Sequence, residues 1–506
     1  MLSNGHLRLL LWDLGTRRDE LNEPLGIEEL AGVVAARLPM VHVRLHWTRS
    51  EADNIDELLA GADVVGLSAK AGNVQFLDRI LAAWDNLPTK PLVVIGNMLA
   101  TLGYEEVLHR WPHVVCVLGE GESAITGILQ AVLAAGGDRP RLESVPNLVY
   151  ADAGGLRTTN RRQEVLTELP LPQRDFLRDT IAKGGIVRVE ASRGCEWCAC
   201  TFCCIKAKYG ARGWRPFRQE RIVADLASIS EAGGRRPYFT DEDFFGPDMN
   251  HVRGLCAAIL EAKSCRRVNQ DMRFFVSARP GSVLQAAEDG TLDLMKEVGF
   301  REVFIGIESG SPSQLQRYGK RGDVPSHTQS VRELVSRGID VDFGFILFDP
   351  EMTLDELKEN IQYLDELSRL VCDARPTKDL RVQPFTHLHD KYQRLGILKS
   401  FDLNKLEYPW SCEDKHVGEV LAELLKYDAE DEDDVYRLQA ATRGEVSLET
   451  QESLKDRLCQ LRALDWELVK SLVARAAEEL SPSVAANAIE RVRKAKHELL
   501  STWRAA

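Results

Sequence analysis

Short apolar runs alternate with amphipathic segments over the first 140 residues of the chain. The apolar runs at 7–12, 41–45, 64–68, 92–95 and 114–118 have the length and composition of buried strands. The segments 27–37 and 74–84 carry apolar residues at helical spacing. Strands and helices that alternate in this way form a parallel sheet covered on both faces. The pattern therefore predicts an α/β domain with a doubly wound, Rossmann-like parallel sheet over residues 1–140.

The same alternation returns over residues 181–398. Six further apolar runs predict strands at 186–190, 237–240, 273–277, 303–307, 342–347 and 380–384. Repeated βα units roll into a full or partial barrel whose active face is built by the loops after the strands. We therefore predict a partial (β/α)6 barrel. Residues 141–180 are rich in turn residues and predict a linker with a small hairpin, and residues 399–506 predict a mainly helical C-terminal domain.

Length, charge and apolar content narrow the class of protein. A chain of 506 residues is long enough for two or three domains. Its formal charge of -13 gives no long-range attraction for nucleic acid, so we expect no nucleic-acid partner. It contains no charged leader followed by an apolar stretch and no run of about 18 apolar residues, so we expect a cytoplasmic protein without a membrane span. In that reducing compartment we expect no structural disulfide, and Cys372, Cys412 and Cys459 are too dispersed for a second cluster.

The cysteines carry the strongest chemical signal. Cys195, Cys198, Cys200, Cys203 and Cys204, five of the eleven cysteines, lie within ten residues. Thiols at this spacing repel one another once ionised, so a soft metal centre is the favoured interpretation. A structural zinc knot is the alternative, but its Cys-x2-Cys pairs are normally farther apart than they are here.

The arrangement resembles the signature of the radical S-adenosylmethionine (SAM) enzymes, Cys-x3-Cys-x2-Cys with an aromatic residue before the last cysteine. The resemblance implies that Cys195, Cys200 and Cys203 bind a 4Fe-4S cluster and that Phe202 is the aromatic neighbour. The first gap is one residue longer than usual. Cys198 is therefore a substitute ligand for Cys195 or Cys200, or a free thiol, and Cys204 is interpreted as a thiol that lines the pocket.

Later strands of the predicted barrel extend the resemblance. An acidic residue after the second strand would hold the SAM ammonium, with Asp241 as the first choice and Glu242 as the second. After the third strand, Ser277 and Arg279 suit the ribose and the SAM carboxylate, because a guanidinium binds a carboxylate in a bidentate manner. The motif Gly-Ile-Glu-Ser-Gly at 306–310 implies that Glu308 faces the ribose or the SAM head, and the strand that contains Phe345 resembles the one that packs on adenine.

Polar and Gly-rich turns follow three strands of the N-terminal domain, in the order found in the cobalamin-binding domain of one large group of radical SAM enzymes. Such sheets bind ligands beyond the carboxyl ends of their strands. The residues implied in cobalamin binding are Leu25, Gly26, Ser68, Gly96, Asn97, Gly119, Glu120, Gly121 and Glu122. Gly-Asn replaces the usual Gly-Gly at 96–97. The chain contains no Asp-x-His-x-x-Gly motif, so we expect the lower face of cobalt to lack a protein histidine.

The resemblance, which covers residues 1–395, implies that SAM is cleaved at the cluster and that a substrate carbon is methylated through methylcobalamin. Three alternatives stay open: a cobalamin-binding radical SAM enzyme that oxidises, cyclises or rearranges its substrate, a radical SAM enzyme without cobalamin, and a cobalamin-binding or metal-binding sensor without SAM cleavage. The implied partners are a small-molecule or peptide substrate and an electron donor such as flavodoxin or ferredoxin. His387 and His389 follow the last predicted strand and are candidates for facing the substrate.

Overall fold

The protein is described by a computed structural model that covers residues 7–15, 21–49, 54–372, 379–476 and 482–505. Its two α/β units correspond to the two stretches of alternating strands and helices in the sequence. The α/β fold class is therefore confirmed.

The N-terminal unit is built on five parallel strands with helices on both faces. The strands are β1 (Leu7–Asp13), β2 (Val41–Trp47), β3 (Val64–Ser68), β4 (Leu92–Gly96) and β5 (Val115–Val117). The helices are α1 (Leu25–Arg37), α2 (Ile55–Ala60), α3 (Val74–Asp85), α4 (Asn97–Arg110) and α5 (Glu122–Ala135). All five predicted strands form, and the two apolar faces of the sheet belong to separate hydrophobic cores. The order β2-β1-β3-β4-β5 reverses direction at β1, so the carboxyl ends of β1 and β3 flank the crevice where such sheets bind ligands.

A hairpin lies in the segment interpreted as a linker. Strands β6 (Leu148–Asp152) and β7 (Gly155–Thr158) are antiparallel, and β6 pairs with β5. The predicted hairpin is confirmed, and it extends the N-terminal sheet to seven strands. A short 3-10 helix (Leu166–Glu168) and α6 (Leu177–Ala182) then lead into the second unit.

The second unit is a partial barrel of five parallel strands. They are β8 (Arg188–Val189), β11 (Tyr238–Phe239), β12 (Phe274–Ala278), β13 (Phe300–Glu308) and β14 (Asp340–Phe345), paired in that order. Between β8 and β11 the chain forms a separate antiparallel hairpin of β9 (Ser192–Cys195) and β10 (Gly213–Pro216), with α7 (Ile205–Tyr209) between its strands. The barrel helices are α8 (Gln219–Glu231), α9 (Met249–Ser264), α10 (Pro280–Glu288), α11 (Thr291–Val298), α12 (Pro312–Arg317), α13 (Val324–Ser336) and α14 (Leu354–Leu367).

The predicted sixth strand at 380–384 is wrong. The backbone N–H of Leu380 bonds the carbonyl of Phe348, but no ladder follows. The carbonyl of Val382 accepts from the backbone of Tyr408, and that of Leu380 accepts from the Trp410 indole. Because a later segment of the chain takes these groups, the sheet in the described residues ends at β14, and a loop occupies the edge.

The C-terminal region is mainly helical, as expected. It comprises α15 (His387–Leu395), α16 (Lys415–Arg443), α17 (Leu448–Ala476) and α18 (Pro482–Ala505). Apolar residues of α16, α17 and α18 belong to the same hydrophobic core as the barrel. The helices therefore pack on the barrel as a continuous body rather than as an appendage.

Polar contacts join the C-terminal helices to the end of the barrel where its strands begin. Asp342 on β14 accepts from Arg443 and Gln439 of α16, and Lys455 of α17 pairs with Glu302 at 3.0 Å. The C-terminal helices thus cover the end of the sheet opposite the loops that follow the strands.

One disulfide contradicts the expectation that none would be present. Cys372 and Cys459, which are 87 residues apart, form a disulfide that joins the chain after α14 to α17. The sequence does not show this pairing, because the two cysteines come together only when α17 packs against α14. Within the described residues, no helix combines the length and the apolar character needed to cross a membrane.

A buried ion-pair network fastens the linker to both units. Arg174 in the linker pairs with Glu23 before α1 at 2.7 Å and with Asp225 on α8 at 2.6 Å. The three side chains are at most 8% exposed. Charges removed from water need complete partners, so the network holds the linker in one position.

We predict that Arg174→Ala lowers the free energy of unfolding by about 3–5 kcal/mol, because it leaves two buried carboxylates without their cation. Urea unfolding followed by tryptophan fluorescence measures the change. The control Arg157→Ala removes a solvent-exposed pair with Asp152 and is expected to leave the free energy of unfolding nearly unchanged. Equal losses in the two variants would contradict the role of burial.

Candidate active site

The cysteine loop, residues 195–204, is inserted between the strands of the β9–β10 hairpin. Cys195 is the last residue of β9, and α7 begins directly after Cys204. The hairpin partner of Cys195 is Gly213, so the antiparallel pairing fixes where the loop starts. A loop held at both ends in this way has a defined position although its interior has no regular structure.

The interior of the loop rests on the chain that follows α12. Thr201 donates its backbone N–H to the carbonyl of Tyr318 at 2.8 Å, and the Trp197 indole donates to the carbonyl of Gly319 at 2.9 Å. Phe202 meets the Tyr318 ring edge to face at 5.4 Å. Phe202, the aromatic residue singled out in the sequence, therefore helps to anchor the loop.

The thiols of the loop lie close enough to influence one another. Burial raises the pKa of the Cys203 thiol, and repulsion from Cys204, Cys200 and Cys195 raises it further. The structure thus brings together the three cysteines predicted as ligands. Cys198 has a φ of 46°, a left-handed conformation that is strained for a side chain of its kind.

A cation faces these thiols. Lys320 pairs with Glu308 at 3.1 Å, and its side chain is 8% exposed. Burial lowers the pKa of Lys320, but Glu308 and the thiolates of Cys200 and Cys195 raise it above its ordinary value. A buried cation beside thiolates stabilises their ionised form, which is the form that binds metal.

A zinc ion and an iron–sulfur cluster place different demands on the spacing of their ligands. Over the described parts of the chain, no three His, Cys, Asp or Glu side chains lie close enough together to share one metal ion. A zinc knot needs four ligands around one ion. An iron–sulfur cluster distributes its ligands over several irons, so more widely spaced thiols suit it. A cluster therefore remains the interpretation of the cysteine loop.

The Asp243 carboxylate lies beside the first cysteine of the loop. One of its oxygens lies 3.9 Å from the Cys195 sulfur and 2.7 Å from Nε of Arg279, and its other oxygen is buried without a hydrogen-bond partner. Arg279 also contacts Glu196 in the loop at 2.5 Å. An unsatisfied buried carboxylate oxygen beside the cysteines has the free acceptor that a ligand ammonium requires.

The two acidic residues preferred in the sequence have other partners. Asp241 accepts from the Ser192 hydroxyl at 2.5 Å and from the backbone N–H of Ala191 at 3.1 Å, and burial raises its pKa to about 7. Glu242 accepts from Gly194 and from the side chains of Lys208 and Tyr209. Asp243 belongs to the same acidic triplet, and a sequence does not tell which of three neighbouring carboxylates turns toward the loop.

Glu308 and Ser277 lie on the inner side of the barrel. Glu308 is bonded to Lys320 and has a φ of 69°, next to an irregularity in the β13–β14 ladder. A glutamate in the left-handed region is uncommon, because this conformation is strained for residues other than glycine. The strain fixes the direction of the Glu308 side chain. The Ser277 hydroxyl lies 3.5 Å from that of Tyr238 on the neighbouring strand.

Phe345 and the two histidines are not gathered with this group. The buried Phe345 ring stacks at 6.2 Å on Tyr363 of α14, on the helix side of the sheet. His387 is exposed, and His389 packs on Tyr408 at 4.7 Å. Successive residues of a strand face opposite sides of the sheet. Position 344 faces the barrel interior, since a Cβ added at Gly344 would approach Phe304 and Glu308. Phe345 therefore faces the helices.

All nine residues implied in cobalamin binding line one cavity of about 330 Å³. It opens beyond the carboxyl ends of β1, β3 and β4, at the crevice predicted from the sheet order. Gly26 and Gly96 border it, and a Cβ added at either would meet no protein atom within 4 Å. Nothing in the protein itself requires glycine at these positions, so the open space is available for close approach of a ligand to the backbone.

The barrel supplies the other wall of this cavity. Its contribution consists of Arg188, Glu190, Arg193, Lys208, Tyr209 and Thr240. No histidine is present among the residues that line the cavity in the described part of the chain. The cavity therefore lies between the two units and reaches the arms of the cysteine loop.

Comparison with known proteins agrees with this geometry. Residues 189–364 match the model of the radical SAM superfamily. The chain is 28% identical over 358 residues to 4'-phospho-dehydrooxetanocin synthase of Priestia megaterium, a match that covers 65% of this chain and 45% of that protein. It is 26% identical over 361 residues to the hopanoid C-3 methylase of Methylococcus capsulatus, covering 69% of this chain and 65% of that protein. The chain thus spans about half to two thirds of the length of these relatives.

Two solved structures share the fold. The cobalamin-dependent SAM radical enzyme OxsB, with aqua-cobalamin and SAM bound, superposes with a TM-score of 0.81 at 20% identity over 99% of this chain and 80% of that one. The radical SAM methyltransferase TsrM of Kitasatospora setae, with cobalamin and a 4Fe-4S cluster bound, gives a TM-score of 0.62 at 16% identity over 78% of this chain and 76% of that one. Residues 189–364 are therefore a radical SAM domain, and the chain as a whole has the fold of the cobalamin-dependent radical SAM enzymes.

Proposed function

We propose that the protein binds a 4Fe-4S cluster, SAM and cobalamin, and that it methylates a carbon atom of a small molecule or peptide. The observation that carries the proposal is the cavity shared by the N-terminal turns and the arms of the cysteine loop. When bound, the cluster would supply the electron that cleaves SAM to methionine and a 5'-deoxyadenosyl radical, and cobalamin would supply a transferable methyl group.

The protein's own side chains would bind and orient the first two groups. Cys195, Cys200 and Cys203 would ligate three irons and leave the fourth for SAM. Asp243 would accept the SAM ammonium with its unpartnered oxygen, and Arg279 beside it would bind the carboxylate. Asp241 and Glu242 would hold the cysteine hairpin and α7 in place through the contacts described above.

The N-terminal turns would hold the corrin ring. Gly26 and Gly96 let a large planar ligand approach the backbone, and the absence of histidine from the described lining is compatible with cobalt that has no protein ligand on its lower face. Burial between two units would exclude water from a reactive radical.

The relatives support methylation without requiring it. The hopanoid C-3 methylase and the TsrM methyltransferase transfer methyl groups by name, whereas 4'-phospho-dehydrooxetanocin synthase bears no methylation in its name. A cobalamin-binding enzyme that oxidises, cyclises or rearranges its substrate is therefore the second candidate. In either case we propose a cytoplasmic protein with a flavodoxin or ferredoxin as electron donor.

The central prediction concerns cofactor content and SAM cleavage. After anaerobic reconstitution and reduction, the protein is expected to hold about four irons and one corrinoid per chain and to release 5'-deoxyadenosine. Cys195→Ala, Cys200→Ala and Cys203→Ala are each expected to lose the cluster, while Cys265→Ala, an exposed cysteine far along the chain, keeps it. Iron analysis and chromatography of the SAM products make the measurement.

The outcomes distinguish the candidates. Transfer of label from methyl-labelled SAM to a substrate supports methylation, and 5'-deoxyadenosine with an unmethylated product supports the second candidate. If the reduced protein holds cluster and corrinoid but releases no 5'-deoxyadenosine, the enzyme proposal is rejected. A sensor that binds these cofactors is then the remaining candidate.

A second prediction tests the cavity. Gly96→Leu places a bulky side chain in open cavity space, so corrinoid affinity is expected to fall at least about 10-fold through steric exclusion. Absorbance titration with hydroxocobalamin measures it. Gly281→Leu adds the same side chain at an exposed glycine outside the cavity and should leave affinity unchanged. Unaltered affinity in Gly96→Leu would exclude this cavity as the corrin site.

A third prediction tests the reassigned carboxylate. Asp243→Asn keeps the shape but removes the charge that would hold the SAM ammonium, so SAM affinity is expected to fall by about 10-fold or more with the iron content retained. Equilibrium dialysis with labelled SAM measures it. The matched control is Asp355→Asn on an exposed helix position. If Asp241→Asn weakened SAM binding and Asp243→Asn did not, the original choice would stand.

A further inference from the structure

Residues 119–122 form a turn that touches both arms of the cysteine loop. On the first arm, Arg193 lies two residues before Cys195. Its guanidinium contacts Glu120 at 2.9 Å and Glu122 at 2.7 Å through Nη1, and Glu190 at 2.9 Å through Nη2. The Arg193, Glu120 and Glu122 side chains are at most 8% exposed. The two carboxylates of the turn are thus engaged with the strand that delivers the first cysteine.

The second arm lies against the backbone of the same turn. Gly119 has a φ of 76°, and a Cβ added there would lie 2.2 Å from the carbonyl oxygen of Lys208 in α7. Arg161, near the same glycine, donates to the carbonyl of Ala207 at 3.0 Å. Glycine at 119 therefore permits close contact between the turn and the helix that follows the last cysteine.

A third contact makes the arrangement rigid. Arg215 on β10 is the register partner of Arg193 on β9, and it binds the same Glu120 oxygen at 3.1 Å. One carboxylate therefore bridges both strands of the hairpin from which the cysteine loop projects. A buried network with this many directed contacts allows few alternative geometries.

We propose that the turn 119–122 and Arg193 act as a clamp that sets the distance between the cobalt and the iron–sulfur cluster. The inference rests on the proposed function and adds a role for residues otherwise understood as corrin contacts. Arg193 is a positioning residue, since it acts through the cysteine loop. Its forked guanidinium reaches Glu120, Glu122 and Glu190 together, and a lysine ammonium, a single point charge, cannot span them in the same way.

The test uses the magnetic interaction between the two metal centres in the loaded protein. Reduced 4Fe-4S cluster and cob(II)alamin are both paramagnetic, and relaxation enhancement of the cobalt signal depends steeply on their separation. In Arg193→Lys, a displacement of about 1 Å is expected to change this enhancement by about two-fold, with iron and corrinoid contents unchanged. Electron paramagnetic resonance at several temperatures measures it.

A matched control and a second variant sharpen the result. Arg443→Lys makes the same change in an arginine that pairs with Asp342 at the opposite end of the barrel, and it is expected to leave the enhancement unchanged. Glu122→Gln removes one arm of the clamp and is expected to shift the enhancement in the same direction as Arg193→Lys. The double variant should match Arg193→Lys, because the contact that Glu122→Gln removes is already among those altered in Arg193→Lys. If Arg193→Lys does not fold, Glu122→Gln carries the test.

Two results would overturn the clamp. An enhancement equal to that of the unaltered protein in both variants would show that the contact sets no distance. Loss of corrinoid with the cluster retained would show that Arg193 binds the corrin directly. Failure of the unaltered protein to hold cluster or corrinoid is a different result, because it rejects the proposed function itself.

Discussion

Buried charge joins the two α/β units of this protein. Arg174, Arg193 and Arg221 each cross from the linker or the barrel to carboxylates of the N-terminal unit, and each side chain is at most 8% exposed. An arginine removed from water is stable only where its hydrogen-bonding positions are filled, so these contacts tolerate little change in the relative position of the units. The cavity between the units depends on that constraint, because both of its walls are set by the same contacts.

Ion pairs also join the C-terminal helices to the end of the barrel that is remote from the cavity. Five strands do not close a barrel. At the end opposite the cysteine loop, the carboxylates of Glu302 and Asp342 therefore need cations from outside the sheet. Arg443 of α16 and Lys455 of α17 supply the missing cations from the C-terminal helices. The helical region therefore completes the barrel at the end remote from the cysteine loop, which leaves the loop end free for ligands.

The sequence predicted what depends on local periodicity and missed what depends on contacts between distant segments. The N-terminal strands follow from apolar runs, and the nine turn residues converge because parallel strands end at one edge. The run at 380–384 has the same apolar character, but its backbone groups are taken by the segment around Tyr408. The Cys372–Cys459 pairing and the orientation of Asp243 likewise depend on packing between distant segments, and no short window of sequence contains that information.

The Gly-Asn pair at 96–97 shows how a departure from a motif is absorbed. Asn97 has a φ of 68°, a conformation that asparagine tolerates better than most residues that are not glycine. Its side-chain amide donates to the Ser68 hydroxyl at 3.1 Å, and Ser68 donates to Asp13 at 2.9 Å. Asp13 is in turn paired with Lys70 at 3.1 Å. A second glycine would satisfy the backbone but would leave Ser68 without the amide. Asparagine therefore keeps the tight turn and adds a polar chain that ties together the ends of β1, β3 and β4, so this edge of the cavity is ordered by the protein before any ligand arrives.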